Sequence, residues 1–409
     1  MNTPSNPTPK NSCAVGVLMG YFEPLNLGQL REIVWAAGQV KTLHIVVLPR
    51  PAPNPRYRVT LADKARHLQV ACEFFDFVKI HTADSPEFAP HLSDVAWSYD
   101  EASAQISAKQ LKERLLRALS SHDEKGIADD FCVFARADVH SDLAFCAVPD
   151  GGFDGQAIFA NPATHFHAIH PAARQNYTKT VCIVGGESSG KTTLVHKLAN
   201  HYGATFAPEM GRLYTHSDLG GTEVGLQFAD YAIIAARHAD AIHHATRHAS
   251  APVTFVDTDF VTTQAFCEEY EGKTDGVVAA FADSVRLDLT IMLDNNVAWV
   301  ADGMRSLGDD DARARFRGRL AEIFMRHGIA PALIDDADYH KRYEQAVAMI
   351  DAWLYDDVPP DAADLRQFIQ NQSAQNQSAQ NQATQVQHAQ TKDALTANAS
   401  ATSTEGDAP

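Results

Sequence analysis

Eight consecutive residues, Gly185-Gly186-Glu187-Ser188-Ser189-Gly190-Lys191-Thr192, fit the spacing G-x-x-x-x-G-K-[ST]. A loop of this kind turns successive backbone N–H groups inward to wrap phosphates, and the helix that follows adds the partial positive charge of its N-terminus. Lys191 would reach the terminal phosphates and the Thr192 hydroxyl would hold Mg²⁺, with Thr193 counted among the nucleotide-binding residues. The alternative is a plain glycine turn between a strand and a helix. The motif does lie between the apolar run Thr180-Val181-Cys182-Ile183-Val184 and a helical pattern, which is where the mechanism needs it.

Phosphoryl transfer needs more than a donor cradle. Val253-Thr254-Phe255-Val256-Asp257-Thr258-Asp259 ends an apolar run on two carboxylates, with Asp257 as the Mg²⁺-side acid and Asp259 expected to face the same cleft. Both aspartates could instead cap the following helix, a position that residue type favours. Glu209, in Pro208-Glu209-Met210-Gly211-Arg212, stands where a carboxylate can orient or deprotonate an acceptor hydroxyl, and Arg212 could hold a phosphate. Either fits equally well in a surface turn. Arg305, in the Gly-bracketed loop Asp302-Gly303-Met304-Arg305-Ser306-Leu307-Gly308, is a candidate for a lid cation on the transferring phosphoryl group. Arg313 and Arg315 are weaker candidates, expected on a solvated helix face.

Composition narrows the class. A length of 409 residues exceeds one ordinary domain and suggests roughly two or three. A net charge of −17 argues against non-specific nucleic-acid binding, so an anionic substrate must be met by local groups such as the loop. No apolar run approaches the roughly 20 residues of a membrane span, and the first twelve residues lack the layout of a signal peptide, so a cytoplasmic protein is expected. Cys13, Cys72, Cys132, Cys146, Cys182 and Cys267 are scattered without a CxxC pair and read as free thiols of a reduced compartment. The histidines, including His165, His167, His170, His244 and His248, lack partners that would complete a metal site, so a surface role is expected.

The elements that must position these residues are legible from periodicity. In the N-terminal half, strands are expected at 14–19, 43–48, 77–81 and 131–134, with helices at 27–40, 61–75 and 102–119, an alternation that implies a parallel sheet. Strands at 180–184, 204–207, 253–257, 288–293 and 330–334 then alternate with helices at 191–201, 223–248, through about 284, 311–327 and 339–355, the pattern of a doubly wound α/β domain. The resulting division is 1–12 disordered, 13–160 a first α/β domain, 161–178 a linker, 179–358 a P-loop domain and 368–409 a disordered Gln/Asn/Ser/Ala-rich tail.

Four strings in order, VGGESSGKTTLVHKLAN, EMGR, VDTDFVTTQAFC with YEGK, and NNVAWVADGMRSLG, resemble the NadR-type proteins. In that family a P-loop ribosylnicotinamide kinase domain follows a nucleotidylyltransferase-like, Rossmann-type domain that is an NMN adenylyltransferase. The resemblance implies that ATP gives its γ-phosphoryl group to the 5′-hydroxyl of nicotinamide riboside, making NMN in NAD biosynthesis. It also implies that aromatics such as Trp299 or Tyr270 bind the pyridinium ring, a stacking that is physically reasonable for a cation; a core role is the alternative for both.

The first half resembles the adenylyltransferase domain in degraded form. The family signature G-x-F-x-P-x-H-x-G-H reads Gly20-Tyr21-Phe22-Glu23-Pro24-Leu25-Asn26-Leu27-Gly28-Gln29, so both histidines are replaced. Amides cannot bring positive charge to a developing pentavalent phosphate. The second signature, I-S-x-x-x-I-R, falls at 153–159, with Asp154 in place of the serine and Phe159 in place of the arginine. The half is therefore expected to fold without adenylyltransferase activity. The helix-turn-helix module of enterobacterial members finds no room before the first strand, so DNA binding is not expected. Two other functions stay open: a bifunctional kinase and adenylyltransferase, or a nucleotide-binding regulator without turnover. A homo-oligomer is compatible with the sequence.

Overall fold

The computed structural model describes residues 13–96, 107–120, 131–136, 146–148, 150–297 and 310–370. Contacts divide the chain into two units, one of the described residues up to Thr178 with Thr246–Val253, the other of Lys179–Ala245 with the residues from Thr254 onward. Arg305, Trp299 and the Gln-rich segment 371–409 lie outside the described residues.

The first unit runs β1 (Cys13–Gly20), α1 (Leu27–Ala37), β2 (Val40–Val47), α2 (Leu61–Ala71), β3 (Val78–Thr82), α3 (Ala89–Leu92), α4 (Ala108–Ser120), β4 (Phe131–Arg136), β5 (Cys146–Val148), α5 (Gly155–Ala160) and α6 (Pro171–Arg174). Its sheet is ordered β3-β2-β1-β4-β5 with parallel neighbours. Val17 and Leu18, then Ile45, Val46 and Val47, are consecutive and all buried, because a parallel sheet is covered on both faces and its strands lack alternation. Helix α1 stops at Gly38, short of the expected 40, and the chain from Val40 pairs with Cys13 instead.

Residues 161–178, expected as a linker from their Gly, Pro, Asn and His content, carry α6 and two 3₁₀ turns. Phe166, Ala168, Ile169, Ala173 and Tyr177 are buried in the core of this unit. Apolar residues at irregular spacing have no helical or strand period to betray them, yet they still cover a sheet.

The second unit runs β6 (Lys179–Gly185), α7 (Lys191–Tyr202), β7 (Phe206–Ala207), α8 (Met210–Asp218), α9 (Phe228–Arg247), β8 (Val253–Asp257), α10 (Phe260–Glu271), α11 (Gly276–Ser284), β9 (Leu289–Leu293), α12 (Asp310–Arg326), β10 (Ala332–Ile334) and α13 (Tyr339–Tyr355). Its sheet order is β10-β9-β6-β8-β7. Strand β6 therefore lies between β9 and β8, and the order reverses beside it, which opens a crevice at the carboxyl ends of the central strands. Every residue of β8 and β9 is buried.

Two local departures shape that crevice. The helix expected at 223–248 is broken: Glu223–Gly225 forms a 3₁₀ turn capped by Thr222, Leu226 is extended, and α9 begins only at Phe228. Helix α8 was not legible, since Pro208 and Gly211 read as turn residues; its N-cap position is Glu209. Among the described residues no helix is long and apolar enough to cross a membrane.

Candidate active site

The loop between β6 and α7 has the conformation its glycines allow. Gly185 and Gly190 take φ of 144° and 90°, Ser188 takes 57°, and Gly190 is the left-handed residue from which α7 starts. A side chain at Gly186 would place its Cβ 2.0 Å from Asn295 Nδ2, so close approach as well as curvature demands glycine there. Lys191 is buried and folds back over the loop, its Nζ donating to the Gly186 carbonyl at 2.9 Å, and Ser189 Oγ donates to the same oxygen at 2.9 Å. The lysine thus lies across the cradle, within a short swing of any phosphate the N–H groups would hold.

Thr192 Oγ1 donates to Asp257 Oδ2 at 2.6 Å, joining the first turn of α7 to the end of β8. The other carboxylate oxygen, Asp257 Oδ1, is buried and has no hydrogen-bond partner among the described residues. Burial pushes the Asp257 carboxyl up to about 6, with nearby Glu209 adding to the rise and Lys191 and Thr192 opposing it. A hydroxyl beside an orphaned, partly destabilised carboxylate fits the donor set of a Mg²⁺ that is otherwise held by nucleotide phosphates and water.

Asp259 does not share this cleft. Between the two aspartates Thr258 takes φ of 70°, a left-handed conformation unusual outside glycine, and the chain turns there. Asp259 becomes the N-cap of α10, its Oδ1 accepting from the Thr262 N–H and the Thr262 hydroxyl, both at 2.8 Å. It lines a separate small cavity with Phe260, Val285 and Leu287. Asp259 thus holds the helix-capping position that the sequence left open as its alternative.

Beyond the loop an open cleft is lined by Glu187, Glu209, Arg212 and Glu223 with the aromatic rings of Phe266 and Tyr270. Glu209 Oε2 lies 3.5 Å from Arg212 Nε, one turn apart at the start of α8. Phe266 and Tyr270, on one face of α10, stack with centroids 6.0 Å apart, and Tyr270 Oη donates to Glu223 Oε2 at 3.5 Å. Glu209, Arg212 and Tyr270 line this cleft, and Glu209 and Arg212 act electrostatically on Asp257 together with Lys191 and Thr192, while Arg305 and Trp299 lie outside the described residues. Arg313, expected on a solvated face, is instead buried, with Nη2 donating to the carbonyls of Asn295 and Val297.

In the first unit the residues at the two histidine positions serve the backbone. Asn26 Oδ1 accepts from the Gln29 N–H at 2.9 Å and Gln29 Oε1 accepts from the Asn26 N–H at 3.2 Å, a reciprocal capping box at the start of α1. Asp154 likewise caps α5 by accepting from the N–H groups of Gln156 and Ala157. Glu23 is buried in an ion pair with Lys64. The Arg50 guanidinium lies 3.6 Å from the centre of the Phe159 ring and donates to Gln156 Oε1. These side chains are engaged in holding the fold.

A family model described as an AAA domain matches residues 180–342. The "Trifunctional NAD biosynthesis/regulator protein NadR" of Escherichia coli (strain K12) is 35% identical over 355 residues, 84% of this chain and 84% of that protein. The chain belongs to the NadR family. The protein of the same description from Salmonella typhimurium (strain LT2) is 35% identical over 352 residues, again 84% of each chain. Two solved NadR structures, one in complex with NR and one with NAD and AMP-PNP, share the fold at TM-scores of 0.63 and 0.61 and 19% identity. They cover 85% and 87% of this chain, and 98% and 99% of their own.

Within this NadR-family site, sequence reasoning passed over Glu223, Tyr231 and Arg342. Tyr231 is buried at the cleft wall with no partner for its hydroxyl among the described residues. Arg342 is 2% exposed on the inner stripe of α13, in line with Ala346, Ile350 and Leu354. A charged residue on an otherwise apolar helical stripe was the available signal.

Proposed function

We propose that the second unit is an ATP-dependent kinase that phosphorylates the 5′-hydroxyl of nicotinamide riboside to give NMN. The observation that carries this is the Thr192–Asp257 hydrogen bond beside the lysine-bearing loop, at the edge of a cleft holding a carboxylate next to an arginine. In this reading the loop N–H groups bind the β- and γ-phosphates of ATP and Lys191 leaves the Gly186 carbonyl for the γ-phosphate. Thr192 and Asp257 would hold Mg²⁺, which when bound offsets the phosphate charge. Glu209 orients the acceptor hydroxyl and takes its proton, and Arg212 meets phosphate charge. Arg305 is kept as the lid cation and Trp299 as a second aromatic for the base.

The acceptor is argued from charge. Glu187, Glu209 and Glu223 line the cleft against one arginine, with Phe266 and Tyr270 as an aromatic wall. Such a surface favours a flat cationic ring over a neutral one, and the pyridinium of nicotinamide riboside is both. Family membership and the NR named in a relative's structure support the same acceptor. The capping duties of Asn26, Gln29 and Asp154 support a first unit without adenylyltransferase activity.

The test is to incubate the full chain with Mg-ATP and nicotinamide riboside, its neutral dihydro form, or ordinary nucleosides, and to follow product. Preference for the cationic riboside, and a loss of about a thousand-fold or more in kcat/KM for Lys191→Ala, are expected. Phosphorylation unchanged in Lys191→Ala would refute the donor site, and equal use of the dihydro form would refute the charge argument.

A further inference from the structure

We propose that Arg342 is a positioning residue for the nucleotide donor, its guanidinium holding the phosphate loop in the shape that receives a nucleoside triphosphate. The inference rests on reading that loop as the donor site of a kinase.

A loop that turns its N–H groups toward phosphate must turn carbonyls the other way. At Ser189 that carbonyl faces a buried region, where an unpartnered oxygen is unfavourable. Arg342 Nη1 donates to it at 2.7 Å. The same guanidinium donates through Nη2 to the Asp294 carbonyl at 2.8 Å and to Asn296 Oδ1, and through Nε to the Asp336 carbonyl. Its acceptors thus come from the loops after β6, β9 and β10, three segments distant in sequence. A planar fork with fixed donor directions can bind all three at once, which a lysine ammonium on its flexible stem cannot reproduce.

The first turn of α13 is built to aim this group. Asp338 caps the helix by accepting from the N–H groups of His340 and Lys341. Tyr339 lies against Gly190, where an added Cβ would sit 2.6 Å from its ring. With the cap fixing the helix start and Tyr339 against the last glycine of the loop, Arg342 reaches the Ser189 carbonyl. None of its hydrogen-bond acceptors lines the acceptor cleft, so its effect should appear in donor binding and not in acceptor binding.

Arg342→Lys retains the charge without the fork, and Arg342→Met retains length without charge. Mg-ATP binding is measured by titration calorimetry without acceptor, alongside steady-state kinetics with nicotinamide riboside and thermal melts. Expected is a rise of about ten-fold in the Kd for Mg-ATP in Arg342→Lys and a larger one in Arg342→Met, with the KM for the riboside within about two-fold of wild type. A folded Arg342→Lys that binds Mg-ATP as wild type does would overturn the assignment, as would parallel loss of both substrates. Failure of both variants to fold would make the residue a general structural one and overturn it too. Wild-type protein that binds no Mg-ATP would sink the donor-site reading and this inference with it, whereas wild-type binding with unchanged variants sinks this inference alone.

Discussion

Two buried titratable groups in the second unit are held at raised or lowered pKa for the same reason, loss of water around the charged form. For Asp257 burial, with the neighbouring Glu209, raises the carboxyl to about 6. For His238, 1% exposed on the inner face of α9 and 5.6 Å from the Phe260 ring, burial lowers the imidazole from 6.5 to about 4 while the nearby charge of Glu209 opposes the shift. The unfolded chain therefore takes up a proton first as pH falls. The stability from keeping His238 neutral is fully present above pH 6.5 and lost as pH drops toward 4, by about 3 kcal/mol at about 1.4 kcal/mol per pKa unit. In His238→Gln that part of the slope should vanish. Urea denaturation of both proteins at pH 7 and pH 4.5 checks it; identical slopes would place the imidazole in contact with water.

At the scale of elements, the start of α10 separates two roles that adjacent aspartates could share. As an N-cap, Asp259 should tolerate Asn, which caps as well, and lose about 1–2 kcal/mol of stability on change to Ala. Kinase turnover in Asp259→Asn should stay within a few-fold of wild type. A collapse of kcat by orders of magnitude in that variant, with an unchanged melting temperature, would return Asp259 to the chemistry. The same logic applies at α1 and α5, where Asn26, Gln29 and Asp154 cap helices in place of the residues the family signatures lead one to expect.

Across the whole molecule, two parallel sheets of five strands carry different prospects. One ends in a glycine loop with a buried lysine and a buried carboxylate; the other ends in capped helices and a buried Glu23–Lys64 pair. Full-length protein given NMN and Mg-ATP is expected to form no NAD above background, while the same preparation phosphorylates nicotinamide riboside. NAD formation that disappears in Asn26→Ala would show that an amide can still serve adenylyl transfer.

Most of the fold was legible because strands buried on both faces and helices with one apolar stripe announce themselves locally. The nine strands expected from sequence all appear in the two sheets; β5, three residues long, was too short to carry a period. The phosphate loop was legible for the same reason, since its glycines, lysine and threonine are contiguous and their conformations are set within one turn. What the sequence by itself determined, then, was the glycine loop and the family, and with them the chemistry proposed for the site. Only the tertiary structure decided which way Asp259 points, because that hangs on the left-handed Thr258 between two elements. It alone placed the residues at 161–178 in a core, broke the helix before Phe228, and gave Arg342 its partners. Those partners lie on loops as far as 153 residues from Arg342 along the chain, and no local pattern encodes a guanidinium shared among three strand ends.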